Sequence, residues 1–89
     1  MSEGQKTTNH GLIRKWIEDR GGVPTSVEGT ARGKEAGVLR VDFEPKDEKL
    51  SRVSWDDFFQ KFDREKLAFL YQDKTEDGSI SRFHKFVQR

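Results

Sequence analysis

Two groups of ionisable residues are spaced as if to act together. His10, Arg14 and Glu18 recur at intervals of four. On a helix that interval stacks side chains along one side, so an imidazole, a guanidinium and a carboxylate would form one ridge. The ridge could bind a charged partner, and His10 with Glu18 could serve acid–base chemistry in a small hydrolase or isomerase. The plainer reading is a solvated face with one Arg14 to Glu18 pair, worth about 0.3 kcal/mol. The second group is Arg82, His84, Lys85 and Arg89, in a run from Ser79 onward that contains no acid. Read as a helix, the run sets residues 82, 85 and 89 on one flank, within reach of adjacent phosphates or carboxylates. The same charges also suit the negative end of a helix dipole. His84 is the alternative imidazole for a catalytic reading.

Two loops imitate ligand-binding motifs and fail in detail. Gly29-Thr-Ala-Arg-Gly33-Lys34 echoes a phosphate loop, but its second glycine comes one residue early and Glu35 stands where a magnesium-binding hydroxyl is needed. It reads as a mobile hairpin connection. Asp73, Thr75, Asp77 and Gly78 resemble the first half of a calcium loop, yet His84 occupies the place of the bidentate glutamate. An Asp-Gly turn is the better reading. With two histidines and no cysteine, neither a metal site nor a cofactor is expected.

These residues need elements to position them. Residues 1–8 lack apolar periodicity and are expected to form a disordered tail, leaving 9–89 as a single domain. Asn9 caps a helix in which Leu12, Ile13, Trp16 and Ile17 repeat at helical spacing, and Gly21-Gly22 ends it. Arg20 falls inside that apolar arc, so its stem should be buried and its guanidinium should seek a carboxylate or the end of a sheet. Val23 to Val27 predicts a short edge strand, and Leu39, Val41 and Phe43 alternate with Arg40 and Asp42 in a second strand. Glu44 to Arg52 reads as a surface loop. Ser54-Trp-Asp-Asp57 opens the clearest helix, with Trp55, Phe58, Phe59 and Phe62 on one face. Leu67 to Tyr71 is continuously apolar and predicts a central strand covered on both faces. Ile80, Phe83, Phe86 and Val87 fit a final helix, with a strand as the alternative. The order α-β-β-α-β-α gives an α+β fold in which a three-stranded, mainly antiparallel sheet packs against helices.

Composition sets the limits. Eighty-nine residues support one core. Charged residues make up 37% of the chain, but Leu, Ile, Val and Phe number 21 of 89, above the roughly 20% below which such chains stay unfolded. A net charge of +1 is unlike that of a dedicated DNA-binding protein. The absence of cysteine fits a reducing compartment, and no run approaches the about 20 apolar residues of a membrane span, so a cytoplasmic protein with no membrane partner is the expectation.

His10-Gly-Leu-Ile-Arg-Lys-Trp-Ile-Glu-Asp-Arg-Gly-Gly-Val-Pro24, together with Leu67-Ala-Phe-Leu-Tyr-Gln-Asp73 and Ser81-Arg-Phe-His-Lys85, resembles a family of small bacterial proteins of no established activity. The resemblance spans most of the chain. Its members are sometimes labelled 1,4-α-glucan branching enzymes, but those are multidomain barrels with paired catalytic carboxylates, which this length cannot house. The resemblance implies a bacterial, cytoplasmic origin and no catalytic residue. The residues therefore point to a small binding or accessory module that contacts protein or nucleic acid weakly through basic surface groups, with the small enzyme as the alternative.

Overall fold

The computed structural model describes residues 4–33 and 36–89. Two helices and six strands follow in the order β1 (Gln5–Thr7), α1 (His10–Asp19), β2 (Val23–Val27), β3 (Leu39–Asp42), β4 (Leu50–Arg52), α2 (Trp55–Arg64), β5 (Leu67–Tyr71) and β6 (His84–Gln88). The strands form two antiparallel sheets, β1-β5-β6 (sheet A) and β3-β2-β4 (sheet B). The α+β class stands, but the expected order and single sheet are replaced by this arrangement. Among the described residues no helix is long and apolar enough to cross a membrane.

The helices begin and end as their residues dictate. Asn9 accepts a hydrogen bond from the Leu12 amide at 2.9 Å, and Ser54 accepts one from the Asp57 amide at 3.0 Å, each satisfying a donor that the first turn leaves free. At the end of α1 the chain turns through Gly21 at φ +71°, and the Gly22 amide donates back to the Ile17 carbonyl. Gly22 also has no room for a side chain: a Cβ there would lie 2.9 Å from Ile17, Val41 and Phe43.

A single core joins the two sheets. It contains Ile13, Trp16 and Ile17 of α1, Leu39 and Val41 of β3, Phe58, Phe59 and Phe62 of α2, and Phe69 and Tyr71 of β5. Phe58, Phe59 and Phe62 of α2 are buried as expected with Trp55 partly buried beside them, whereas Leu12, placed in the stripe of α1, is 39% exposed.

Four expectations are corrected. Gln5–Thr7 is not a tail: its backbone pairs with Phe69–Tyr71, and Tyr71 Oη donates to Gln5 Oε1 at 3.1 Å. Backbone pairing and one polar side-chain contact make this strand, which is why no apolar pattern marks it. Second, β2 is the centre of sheet B and not an edge. Pro24 fits there because it lies at the last rung toward β4, where its carbonyl accepts from the Val53 amide and its missing N–H costs only a terminal bond. Third, part of the expected loop 44–52 is β4. Fourth, residues 84–88 are a strand and not a helix. The period-two set of His84 and Phe86 lands on the core side opposite Tyr71 and Phe69, which outweighs the helical spacing of Ile80, Phe83 and Phe86.

The glycine-rich segment joins β2 to β3, with Val38 donating to Thr30 Oγ1 at 2.9 Å. Lys34 and Glu35 of the phosphate-loop echo lie outside the described residues. The Asp77-Gly78 turn forms as read: Gly78 has φ +87°, Asp77 accepts from the Ser79 amide, and Lys74 bridges to Ile80.

Candidate functional site

The side chains singled out in the sequence are held by different elements and fall into three places. His10, at the start of α1, stacks on Phe59 with ring centres 4.2 Å apart and planes 12° apart. Trp55 also stacks on Phe59, at 5.5 Å and 20°, one turn earlier on α2. The His10 Nε2 lies 3.0 Å from Asp63 Oδ2, and Arg89 places its guanidinium 2.6 Å from Oδ1 of the same carboxylate. Because a carboxylate only accepts, His10 Nε2 carries a proton and donates. Desolvation works to raise the Asp63 carboxyl, but the hydrogen bonds and charges of His10 and Arg89 outweigh it and hold Asp63 below its ordinary value. Asp63 thus ties the first turn of α1 to the end of β6, bringing together one residue from each of the two sequence groups.

The i, i+4, i+8 ridge does not act as a unit. Arg14 pairs with Glu18 at 3.3 Å on an exposed face and lies over the Trp55 ring at 5.6 Å, while His10 turns to Asp63. His10 and Glu18 therefore do not converge.

His84 is packed among rings. It stacks on Phe69 at 5.7 Å and 21° and meets the edges of Trp16, Phe43 and Phe86 at 5.7 to 6.0 Å. Its Nδ1 lies 2.9 Å from the Arg82 carbonyl. A carbonyl cannot donate, so Nδ1 bears the proton and Nε2 is the basic atom. Burial holds the imidazole below its ordinary value; the Arg82 hydrogen bond opposes this and the charge of Arg40 assists it.

The expected basic flank of 82, 85 and 89 is dismantled by the strand. Arg82 lies over the Phe43 ring at 5.2 Å, and Arg89 turns to Asp63 and to the Leu67 carbonyl at 2.7 Å. All three remain exposed, but Lys85 alone projects from the strand onto the outer face of sheet A, where it acquires neighbours that the sequence did not suggest. On sheet A, Thr7, Phe69 and Phe86 share the inner face, so Lys6, Leu70 and Lys85 form one cross-strand row on the outer face, with Ala68 and Val87 in the next row. Ala68 is buried at 1% exposure, whereas Leu70 and Val87 are half-buried, so the apolar part of this face is covered in its middle and open at Leu70 and Val87. Phe83 is 45% exposed, with the Lys85 ammonium 5.9 Å from its ring centre. The strand positions on this face carry no acid. The alternation of Phe83, Lys85 and Val87 was the available signal, obscured by the competing helical spacing; Lys6 gave none, because it sits in a segment that reads as tail.

Arg20 anchors the end of this sheet. Its side chain is 7% exposed and donates to the carbonyls of Trp16 at 3.0 Å and Asp73 at 2.9 Å, and to the Ser81 carbonyl. It also lies over the Trp16 ring at 4.0 Å and 3.8 Å from the Asp73 carboxylate. Burial lowers its pKa, with the charges of Asp73 and Asp19 acting in the opposite sense.

No described group of three or more His, Cys, Asp or Glu residues is arranged to hold a metal ion. Compared with known proteins, the chain matches no family model, no curated protein and no solved structure at a significant level. The family resemblance thus rests on the quoted residues alone.

Proposed function

We propose that the protein is a small binding module, bacterial and cytoplasmic in origin, whose outer face of sheet A holds single-stranded nucleic acid. The observation that carries this reading is the Lys6-Leu70-Lys85 row, beside exposed Phe83, on a face with no acidic strand residue. Two ammonium groups on opposite edge strands suit successive phosphates, and a half-exposed phenyl ring beside one of them suits a stacked base. Two ammonium contacts and one ring reach phosphates and a base face but no base edge, so the binding is weak and tolerant of base identity. The bulk charge of +1 adds little long-range attraction.

Fluorescence anisotropy with labelled ten-nucleotide dT and U strands, against a duplex of equal length, tests the reading. Two phosphate contacts give a log-log salt slope of about −1.4 for a single strand. Phe83→Ala should weaken binding by about fivefold or more, as loss of one stacked base does. Lys6→Gln with Lys85→Gln should remove most of the salt dependence. Equal binding by these variants, or no binding at low salt, refutes the assignment.

A further inference from the structure

The free edge of β6 carries a further inference, which shares Lys85 with the outer face but needs neither Lys6 nor Phe83. The bonds from Gln72 N to Phe83 O and from Arg89 N to Lys66 O bracket the β5–β6 ladder. Residues 83, 85, 87 and 89 therefore turn their backbone toward β5. His84, Phe86 and Gln88 turn theirs the other way, to the side on which sheet A has no further strand among the described residues. The other edges are less available. β1 and β4 are three residues long, and the Leu39 carbonyl on the edge of β3 is taken by the Arg40 guanidinium at 2.9 Å. β6 offers five residues without proline.

Along this edge runs a groove. Two neighbouring hollows of about 340 and 290 Å³ share Arg40 and Phe86; one continues to Val38 and Gln88, the other to His84 and Lys85. Val38, just before β3, lines the same hollow as Gln88, and Phe43, just after β3, meets His84 at 5.8 Å, so β3 and β6 flank the groove. The groove has an apolar floor at Leu67 and Phe86 and a positive rim. Arg40 and Lys85 have no carboxylate partner among the described residues, whereas Glu65 is already 3.0 Å from Lys61.

We infer that the β6 edge receives one extended acidic peptide, which adds to sheet A as a fourth strand and sets its carboxylates against Arg40 and Lys85. Backbone hydrogen bonds from His84, Phe86 and Gln88 hold the peptide in register, and the side chains that face the floor are aliphatic. Strand geometry places alternate residues on opposite faces, so a segment alternating aliphatic and acidic residues matches both surfaces of the groove at once.

The probe is a blocked heptapeptide of alternating valine and glutamate. Hydrogen exchange followed by NMR on the full chain should show the amides of His84, Phe86 and Gln88 slowed at least tenfold on addition of the peptide. N-methylation of the peptide residues that face β6 should abolish binding, and Arg40→Gln should weaken it about threefold or more. Lys6→Gln, which touches only the outer face, should leave it unchanged. The inference is overturned if the three amides exchange at the same rate with and without peptide, if the N-methylated peptide or a valine–lysine peptide binds as well, or if a dimer of the chain already protects these amides.

Discussion

Replacing Arg20 with lysine keeps the positive charge but removes the fork, and so separates charge from geometry. The guanidinium spans the carbonyls of Trp16, Asp73 and Ser81, and a lysine ammonium on a longer, single-pointed stem can reach about one of them. Each hydrogen bond from a charged donor contributes about 1.5 kcal/mol at the lower end of its range, so two lost bonds amount to about 3 kcal/mol. Asp73 is exposed and its carbonyl can bind water instead, whereas Ser81 is 3% exposed and its surroundings admit little. The net loss is therefore about 2 kcal/mol, or about 8 to 16 °C in Tm for a domain of this size. Urea and thermal unfolding followed by circular dichroism measure it. Because Arg20 fastens residues 73 and 81 to the end of α1, amide exchange between Ser81 and His84 should accelerate more than exchange in sheet B. An Arg20→Lys protein within about 0.5 kcal/mol of wild type, with unchanged exchange near Ser81, would refute the argument that the fork organises this end of the sheet.

Phe59→Ala removes the ring held between Trp55 and His10 and should cost about 3 to 5 kcal/mol, leaving little cooperative melt; a Tm within a few degrees of wild type would contradict the packing. His84 should make stability depend on pH. Its folded value lies below the ordinary 6.5, so the unfolded chain binds more protons, and stability is full above about pH 6.5 and falls as the pH drops through the folded value. The difference in unfolding free energy between wild type and His84→Gln should therefore shift against wild type between pH 7 and pH 5, and a difference that does not vary with pH would remove His84 as the cause.

The sequence and the structure agree where a side-chain pattern and a packing requirement coincide. Phe58, Phe59 and Phe62 repeat at helical spacing and have one apolar face to fill, and the buried face of α2 follows from that. Arg20 was legible because a cation inside an apolar arc must find acceptors, and the carbonyls at the sheet end supply them. The segment from Ser79 to Arg89 was not legible in the same way. Its aromatic residues satisfy a helical and an alternating pattern at once, and the choice is made by Phe69 and Tyr71, which lie in another element and offer cross-strand partners. β1 and β4 are too short to carry a pattern at all, and their pairing is a backbone property invisible to side-chain periodicity. The candidate site shares this fate. Lys85 was singled out, but its row with Lys6 and Leu70 exists only once three strands are in register, and the wrong secondary structure for residues 79–89 gave it the wrong neighbours in Arg82 and Arg89.

The strand order of sheet A also sets a schedule. Gln5 and Tyr71 are 66 residues apart yet lie side by side, whereas β2, β3 and β4 are near neighbours in the chain. On a translating ribosome, sheet B and α1 can gather early, but β1 must wait unpaired until β5 emerges, and Leu39 and Val41 stay uncovered until α2 and β5 arrive. At synthesis rates of about 5 to 20 residues per second, the stretch from Trp55 to Gln88 takes roughly 2 to 7 s. For that interval the nascent chain exposes an apolar sheet face and an idle strand, so its exposure to proteases and chaperones is governed by elongation speed, a quantity that the finished fold no longer reveals.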